Sequence, residues 1–259
     1  MSASDYVRPL PLGLIEGFAK VWVGLSGGSY RLESIDGGTL VWWRQDNGTE
    51  IGLPDRMYGL AGYESSDFSK SLPPGTTLNL PPGVQTAVGA IHCETHVLNA
   101  RTKDDAWASL KRVGRQGVRK AETTNCQVEE LRAADYLTLS RSKNDRLGSP
   151  PTPDQLLTLM SGAFGDDNVG LTGVQYGKKA IAAVLWILVD GYGLLVDGAS
   201  DPNHWDKNPN NLAVWASIEQ LLSRGADVID FGFSPVGAGD ARFKKHMGGT
   251  PVPLFQVTQ

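Results

Sequence analysis

The chain has 259 residues, which is enough for one large domain or two modest ones that each have a hydrophobic core. With 41% hydrophobic and 20% charged residues we expect a globular fold, and the net charge of −4 argues against a protein that coats nucleic acid non-specifically while leaving room for a local basic groove. Two cysteines, Cys93 and Cys126, imply no disulfide framework and favour a reducing cytoplasm. The first residues lack the pattern of a signal peptide, and the longest apolar run, residues 180–189, is too short to span a bilayer, so we expect no membrane span.

The first hundred residues are predicted to be mostly β-structure. Residues 29–34 and 39–44 flank Asp36-Gly37-Gly38, a sequence typical of a hairpin turn. A second turn is predicted at Asp46-Asn47-Gly48, loops at residues 58–62 and 72–75, and one or two strands within residues 84–98.

A helix is predicted over residues 103–121, because Trp107, Leu110, Val118 and Ala121 recur at helical spacing. Two glycines inside it are unfavourable for a helix. From Arg101 to Lys120 the chain has seven basic and two acidic residues. A charge run alone is more often a solvated helix face, but the reversal of sign in an acidic chain favours a surface that faces an anion.

The rest of the chain alternates helices and strands. Two helices are predicted at residues 131–141 and 153–163, and a hairpin at residues 179–189 and 192–199 with Asp190-Gly191 as its turn. A further helix is expected to begin with Asn208 as the N-cap and Pro209 at the first helical position, and to end at Gly225.

The final segment contains the most informative residues. A buried strand is predicted over residues 228–233, with Ile229, Phe231 and Phe233 on one face and Asp230 on the other. It runs into a glycine-rich loop, which allows backbone amides to approach a ligand, and then into a Phe-Lys pair among several cations. A lysine beside an aromatic ring at the end of a rigid strand is suited to stabilise a developing negative charge.

The order hairpin, helix, strand, glycine-rich loop and Phe243-Lys244 resembles the C-terminal half of the FemAB-type aminoacyl and acyl transferases, within the wider GNAT acyltransferase fold. Residues 211–218 resemble the family's helix before the Asp-Phe-Gly strand, and residues 112–121 its R-x-x-x-R-K-A helix, which residues 126–131 follow as a strand. The resemblance covers about residues 100–255, with only Tyr58-Gly59 resembling the family before that. It implies an α/β (α+β) fold, a GNAT-like mixed sheet flanked by helices, with a reduced N-terminal GNAT-like domain (1–100) and a complete C-terminal one (101–259).

The resemblance implies a transferase that makes an amide bond. An amine on a small molecule, peptide or cell-wall precursor would attack the carbonyl of an activated aminoacyl or acyl donor. Lys244 would stabilise the oxyanion, or the charge on a departing tRNA ribose, while Phe243 packs the cleft. Asp230 would orient Arg242 or Lys244, although a capping or surface position is an equal alternative for it. Substrate or phosphate would bind the remaining candidates, Arg242, Lys245, Ser234, Gly237, Gly239, Arg112, Arg115, Arg119 and Lys120.

The donor is expected to be aminoacyl-tRNA, with no separate cofactor. Acyl-CoA enzymes of the GNAT fold carry a Gln/Arg-x-x-Gly-x-Gly/Ala loop at a helix N-terminus, where amides bind pyrophosphate. The matching residues 200–211 contain no glycine, and Pro209 lacks an amide proton. The alternatives are an acyl-CoA-dependent N-acyltransferase and a degenerate, non-catalytic ligand-binding protein.

The chain also departs from the cell-wall enzymes: it is shorter, it lacks a coiled-coil arm, and Met247 stands where an aromatic residue is common.

Histidines give weaker signals. His92 and His96 are spaced i, i+4, which on a helix could bind zinc, but the segment favours a strand and no second ligand cluster exists, so we expect no metal site. His204 and His246 are candidate general bases, although a lone loop histidine is more often structural.

Overall fold

The computed structural model describes residues 10–35, 38–44, 50–52, 60–61, 77–79 and 90–258. Within these residues the chain forms two β-sheets and seven α-helices. The small sheet contains β1 (Ser29–Ile35), β2 (Gly38–Arg44), β3 (Glu50–Gly52) and β4 (Leu60–Ala61). The large sheet contains β5 (Thr77–Asn79), β6 (Ala90–Asn99), β7 (Cys126–Glu130), β8 (Val169–Tyr176), β9 (Lys179–Val189), β10 (Tyr192–Ser200), β11 (Val228–Ser234) and β12 (Thr250–Thr258). The helices are α1 (Leu12–Ser26), α2 (Lys103–Ser109), α3 (Arg112–Thr123), α4 (Ala133–Leu147), α5 (Leu156–Phe164), α6 (Pro209–Ser223) and α7 (Gly239–His246).

The large sheet is mixed, and its strands follow the order β5-β12-β6-β11-β10-β9-β8-β7. The neighbours are antiparallel except β10 and β11, which run parallel because α6 crosses over between them. β6 lies between β11 and β12, so residues 90–99 are hydrogen-bonded to the last two strands of the chain. The domain boundary predicted near residue 100 stays a prediction.

Each face of the large sheet carries its own hydrophobic cluster. On one face α1, α4 and α5 pack against side chains that include Leu185, Tyr192 and Val252. On the other face α2, α3 and α6 pack against side chains that include Ile181 and Ile229. Both faces of the central strands are therefore covered, which explains why β9 reads as a continuous apolar run.

The N-terminal region was predicted to be mostly β, and six strands form there among the described residues, but the prediction did not include α1. Leu14, Ile15 and Ala19 are buried, and Phe18 contacts Phe164 of α5 edge to face, with ring centroids 5.4 Å apart. Packing against α5 decides for a helix where valines and glycines obscure the helical pattern. The β1–β2 hairpin is confirmed, since Ile35 pairs with Gly38.

Other predictions for this region have mixed outcomes. Leu60 and Ala61, predicted to be in a loop, form β4 and pair with β2. The predicted turn at residues 46–48, the predicted loop at 72–75 and the Tyr58-Gly59 resemblance lie outside the described residues.

The helix predicted over residues 103–121 is two helices, α2 and α3, with a break at Leu110 and Lys111. The Arg115 guanidinium donates to the carbonyl oxygens of Leu110, Trp107 and Ala108 and so closes the C-terminus of α2. Gly114 and Gly117 are places of close approach rather than weak points. A Cβ on Gly114 would lie 2.2 Å from the carbonyl oxygen of His246.

The remaining elements follow the predictions closely. α4, α5 and the β9–β10 hairpin form, with Asp190 and Gly191 both at positive φ as a type I′ turn requires. α6 begins at Pro209, and Gly225 follows its end at a φ of +92°. Asn208 corrects one detail, because it is left-handed and its side chain makes no cap hydrogen bond. None of the helices in the described residues is long and apolar enough to cross a bilayer.

Candidate active site

The large sheet opens between its two parallel strands. β10 and β11 pair at three positions, which end with Leu194 opposite Asp230. Beyond that point both strands become irregular: β10 shifts register against β9 between Leu195 and Asp197, and β11 shifts against β6 between Asp230 and Phe233. The opening lies at the carboxyl ends of the two strands. Ligands bind at this kind of position in open α/β sheets, because strands diverge there and helices start there.

After the bulge in β11, the side chains of the last residues of this strand point to the opposite faces of the sheet from those that regular alternation predicts. Gly232 has a φ of +70°, and a Cβ on it would lie 3.3 Å from the carbonyl oxygen of Leu195. Ile229 and Phe231 pack in the α6 cluster, whereas Phe233 packs in the α1 cluster. The prediction that all three share one face is therefore wrong, because the extra residue of the bulge inverts the alternation.

Asp230 is fully buried beside this bulge. Its carboxylate accepts hydrogen bonds from the Gly232 amide at 2.8 Å, from the Tyr192 hydroxyl at 2.6 Å and from the Thr95 hydroxyl. These bonds satisfy a buried charge and hold the bulge in place. Asp230 is therefore fully buried close to the opening rather than on the surface, and its role in orienting Arg242 or Lys244 stays a prediction.

The Lys244 ammonium reaches back from α7 to the end of β11. It donates to the carbonyl oxygens of Gly232 and Phe233, both at 2.9 Å, and to the Ser234 hydroxyl at 2.8 Å. The Ser234 hydroxyl in turn donates to the Asp240 carboxylate at 2.6 Å. Burial lowers the pKa of Lys244, and the charge of Asp240 opposes that shift. The lysine thus places a largely buried positive charge at the opening.

The other candidates near α7 are spread around this lysine. Phe243 packs against the α6 cluster, and Arg242 is exposed. The Lys245 ammonium lies 3.6 Å from the Glu94 carboxylate. Gly237 is in the exposed loop at a φ of +77°, and Gly239 begins α7.

Three of the four candidate basic residues of α3 are exposed, and Arg115 is only partly so. Arg115 is committed to the end of α2, and the Arg119 guanidinium lies 5.6 Å from the centroid of the Trp107 ring. Arg112 and Lys120 are exposed. The exposed basic face is therefore smaller than the sequence indicated.

The connection between β10 and α6 is filled by its own side chains. The Asp201 carboxylate accepts from the Asn203 amide at 3.0 Å and from the Lys179 ammonium at 2.6 Å, and the His204 ring nitrogen Nδ1 lies 3.2 Å from it. The hydrogen bond from Lys179 is the largest of the effects that lower the pKa of Asp201 to about 2. A carboxylate thus lies where a pyrophosphate-binding loop would need free amides and no negative charge.

Two polar groups near the opening, His96 and Asp197, were not among the predicted site residues. His96 is fully buried under α7, and its ring nitrogens have no hydrogen-bond partner among the described residues. On β10 the Asp197 carboxylate accepts from the Tyr136 hydroxyl at 2.9 Å and from Lys143. The strand around His96 was predicted, but no local pattern connects residues as distant in sequence as Tyr136 and Asp197.

The acetyltransferase (GNAT) domain family matches residues 100–245. The chain belongs to this family. The segment contains β10, α6 and β11, which form the opening just described, and most of α7. The predicted α/β fold class and the predicted acyltransferase activity are confirmed.

Solved structures agree on the fold. FemX is similar over 99% of this chain and 94% of its own, with a TM-score of 0.71 and 12% identity. The C-terminal domain of a proposed lysylphosphatidylglycerol synthetase from Agrobacterium fabrum is similar over 98% of this chain and 89% of its own, with a TM-score of 0.60 and 10% identity. L-PGS from Bacillus licheniformis is similar over 98% of this chain and 92% of its own, with a TM-score of 0.51 and 10% identity. No curated protein matches this chain. The predicted resemblance to FemAB-type transferases is confirmed for the fold.

Proposed function

We propose that this acyltransferase forms an amide bond by moving an aminoacyl group from aminoacyl-tRNA to an amine on a small molecule, peptide or cell-wall precursor. The observation that carries the choice of donor is the Asp201 carboxylate in the β10–α6 connection. It accepts from the Asn203 amide, while Pro202 and Pro209 have no amide proton to offer. A pyrophosphate there would meet a negative charge and few free donors, which argues against CoA.

A tRNA donor has a different requirement, because its phosphates lie outside the reaction centre. Arg112, Arg119 and Lys120 are exposed on α3, and α3 contacts the β10–α6 connection. Exposed cations attract a phosphate backbone without needing a closed amide cradle. A charged tRNA also belongs to the cytoplasm, which is consistent with the free thiols of Cys93 and Cys126.

In the proposed reaction the amine nitrogen forms a bond to the ester carbonyl carbon. The carbonyl oxygen becomes negative in the tetrahedral intermediate, and the bond to the ribose oxygen then breaks while the amine proton passes to that oxygen. Lys244 acts through its positive charge at the opening, where partial burial strengthens its effect on the developing oxyanion. Phosphate on the donor or acceptor is assigned to Arg242, Lys245 and the amides at Gly237 and Gly239.

The test is transfer of label from charged tRNAs to acceptor amines by the wild type and by Lys244→Met. Loss of an electrostatic group of this kind lowers the rate by about 100-fold or more. Lys20→Met is the matched control, because Lys20 also pairs with a carboxylate at i−4, Glu16, at 3.2 Å but lies on α1. Thermal unfolding of each variant separates loss of charge from loss of folding.

Two results would contradict the proposal. Transfer from acyl-CoA with none from aminoacyl-tRNA would show that the donor is wrong. Equal rates for Lys244→Met and the wild type would show that Lys244 has no part in the reaction.

A further inference from the structure

Two large aromatic side chains are exposed beside the β10–α6 connection. Trp205 lies in the 3₁₀ turn Pro202–Lys207 and is 46% exposed, and Tyr176 at the end of β8 is 42% exposed. The His204 ring, next to Trp205 in sequence, lies 5.9 Å from the Tyr176 ring between centroids. His204 thus connects the turn that carries Trp205 to Tyr176, and two exposed rings at neighbouring positions favour a contact surface over isolated apolar side chains.

Both rings are accompanied by a cation. The Arg146 guanidinium lies 5.0 Å from the centroid of the Trp205 ring, and the Lys207 ammonium lies 4.9 Å from that of Tyr176. Lys207 is partly neutralised by Asp206 at 3.1 Å, whereas Arg146 is exposed at the end of α4. The Trp205–Arg146 pair therefore combines a π-surface with a positive charge.

The Trp205 ring is held in a fixed orientation. Its Nε1 donates to the Ser200 hydroxyl at 2.8 Å, and the Asn210 amide donates to the same hydroxyl at 3.0 Å. A ring fixed by its edge loses little conformational freedom when a flat ligand stacks on it. The polar end of the indole is satisfied within the chain, and the ring remains 46% exposed.

Further positive charge borders this surface. α3 contacts the Pro202–Lys207 turn, and the Lys120 charge is one of the effects, after the Lys207 hydrogen bond, that lower the pKa of Asp206. Arg119 precedes Lys120 on the exposed side of α3. Aromatic rings with cations beside them are suited to bind a single-stranded nucleic acid. The bases can stack on the rings, and the neighbouring phosphates can pair with the cations.

We propose that Trp205, with Arg146 beside it, and Tyr176, with Lys207 beside it, form a stacking platform for the unpaired 3′ end of the RNA donor. This inference rests on the proposed function, because it names the part of the donor that this face holds. It also explains why the β10–α6 connection needs no free amides: the base is recognised by its π-face and the phosphates by side chains.

The test measures binding of a short, dye-labelled single-stranded RNA ending in CCA, and of the same RNA annealed to its complement, over a range of salt concentrations. Trp205→Leu is expected to weaken single-strand binding about 5- to 100-fold and to leave the salt slope unchanged. Trp205→Phe keeps a ring and should retain most of the affinity. Arg146→Ala should weaken binding and also lower the salt slope by about one.

Leu32→Ala is the control, because Leu32 is 40% exposed on β1 of the small sheet. It should bind RNA like the wild type. If Trp205→Leu and Tyr176→Leu fold and bind the single strand like the wild type, the platform is wrong. The platform is equally wrong if free CoA binds through Trp205 and the RNA does not.

The transfer assay separates this inference from the proposed function. Wild-type transfer from aminoacyl-tRNA that Trp205→Leu leaves unchanged would refute the platform alone. Trp205-dependent binding of the single strand without any transfer would refute the proposed reaction and leave the platform standing.

Discussion

Gly232 is held through both of its backbone polar groups by opposite charges. Its amide donates to the Asp230 carboxylate, and its carbonyl oxygen accepts from the Lys244 ammonium. Each charge is buried together with hydrogen-bond partners, which is the condition under which a buried charge is tolerated. The bulge is therefore kept in one conformation at the opening between β10 and β11, which is what a preorganised site requires.

His96 is the residue that should make stability depend on pH. Burial is the largest of the effects that lower its pKa from 6.5 to about 4, followed by the charges of Lys244 and Lys245, while Asp240 opposes them. Glu94 also faces this imidazole, with its Oε1 3.7 Å from Nε2. Between the two pKa values the unfolded chain binds the proton and the folded chain does not. The free energy of unfolding should therefore decrease as the pH falls through this window, by up to about 3 kcal/mol, with no contribution above it.

The measurement is urea unfolding of the wild type and His96→Leu at several pH values from 7 to 4. Leucine cannot titrate, so the variant should show a shallower pH dependence over this range. The variant should also be no less stable than the wild type at neutral pH, because it removes a buried ring whose nitrogens have no hydrogen-bond partner among the described residues. Identical pH dependences for the two proteins would refute this explanation.

At the scale of elements, α3 is positioned by contacts that only glycine permits. A Cβ on Gly114 would meet the carbonyl oxygen of His246, and a Cβ on Gly117 would lie 2.6 Å from the Asn211 side chain. The Lys111 amide also donates to the His246 carbonyl at 3.0 Å. α3 is thereby joined to the end of α7 and the start of α6, the two helices next to the opening.

Gly114→Ala should lower the free energy of unfolding by about 1–3 kcal/mol, because backbone must move to admit the methyl group. Gly162→Ala is the matched control, because Gly162 is exposed in α5 and a Cβ there would meet no atom of the described part of the chain within 4 Å. That change should stabilise the protein by about 0.5–1 kcal/mol, since alanine favours a helix. Denaturant unfolding compares both variants with the wild type, and an equal gain from both changes would show that α3 is not closely packed.

For the whole molecule, the position of β6 matters most. β6 pairs with β11 on one side and with β12 on the other, so a strand from the first hundred residues lies inside the sheet that contains the opening. Val97 belongs to the same hydrophobic cluster as Leu14 of α1 and Val252 of β12. The two ends of the chain therefore share one core.

A fragment of residues 101–259 tests the predicted domain boundary directly. Without β6 the strands β11 and β12 lose their common neighbour, so we expect this fragment to show no cooperative thermal unfolding. A fragment that begins before β6, at residue 90, is the comparison, because it restores the strand without the small sheet. Cooperative unfolding of residues 101–259 would establish the boundary at residue 100.

The sequence by itself determined the elements whose signals are local. The Asp190-Gly191 hairpin, α6 after Pro209 and the strand leading to Phe243-Lys244 were predicted because turn, cap and alternation patterns need only neighbouring residues. The fold class and the acyltransferase activity were predicted from the resemblance of this order of elements, and of the Phe243-Lys244 pair, to FemAB-type transferases.

The tertiary structure alone decided the features that depend on contacts between distant residues. α1 is a helix because it packs on α5, Phe233 changes face because β11 bulges against β6, and Arg115 turns inward to the end of α2. Lys244 was singled out from the sequence, but its hydrogen bonds to the C-terminal end of β11 were not predicted, because they depend on how α7 folds back. Local sequence patterns indicate which backbone conformation each segment prefers. Burial and hydrogen-bond partners depend on residues that are distant in sequence, so they are determined only when the chain is packed.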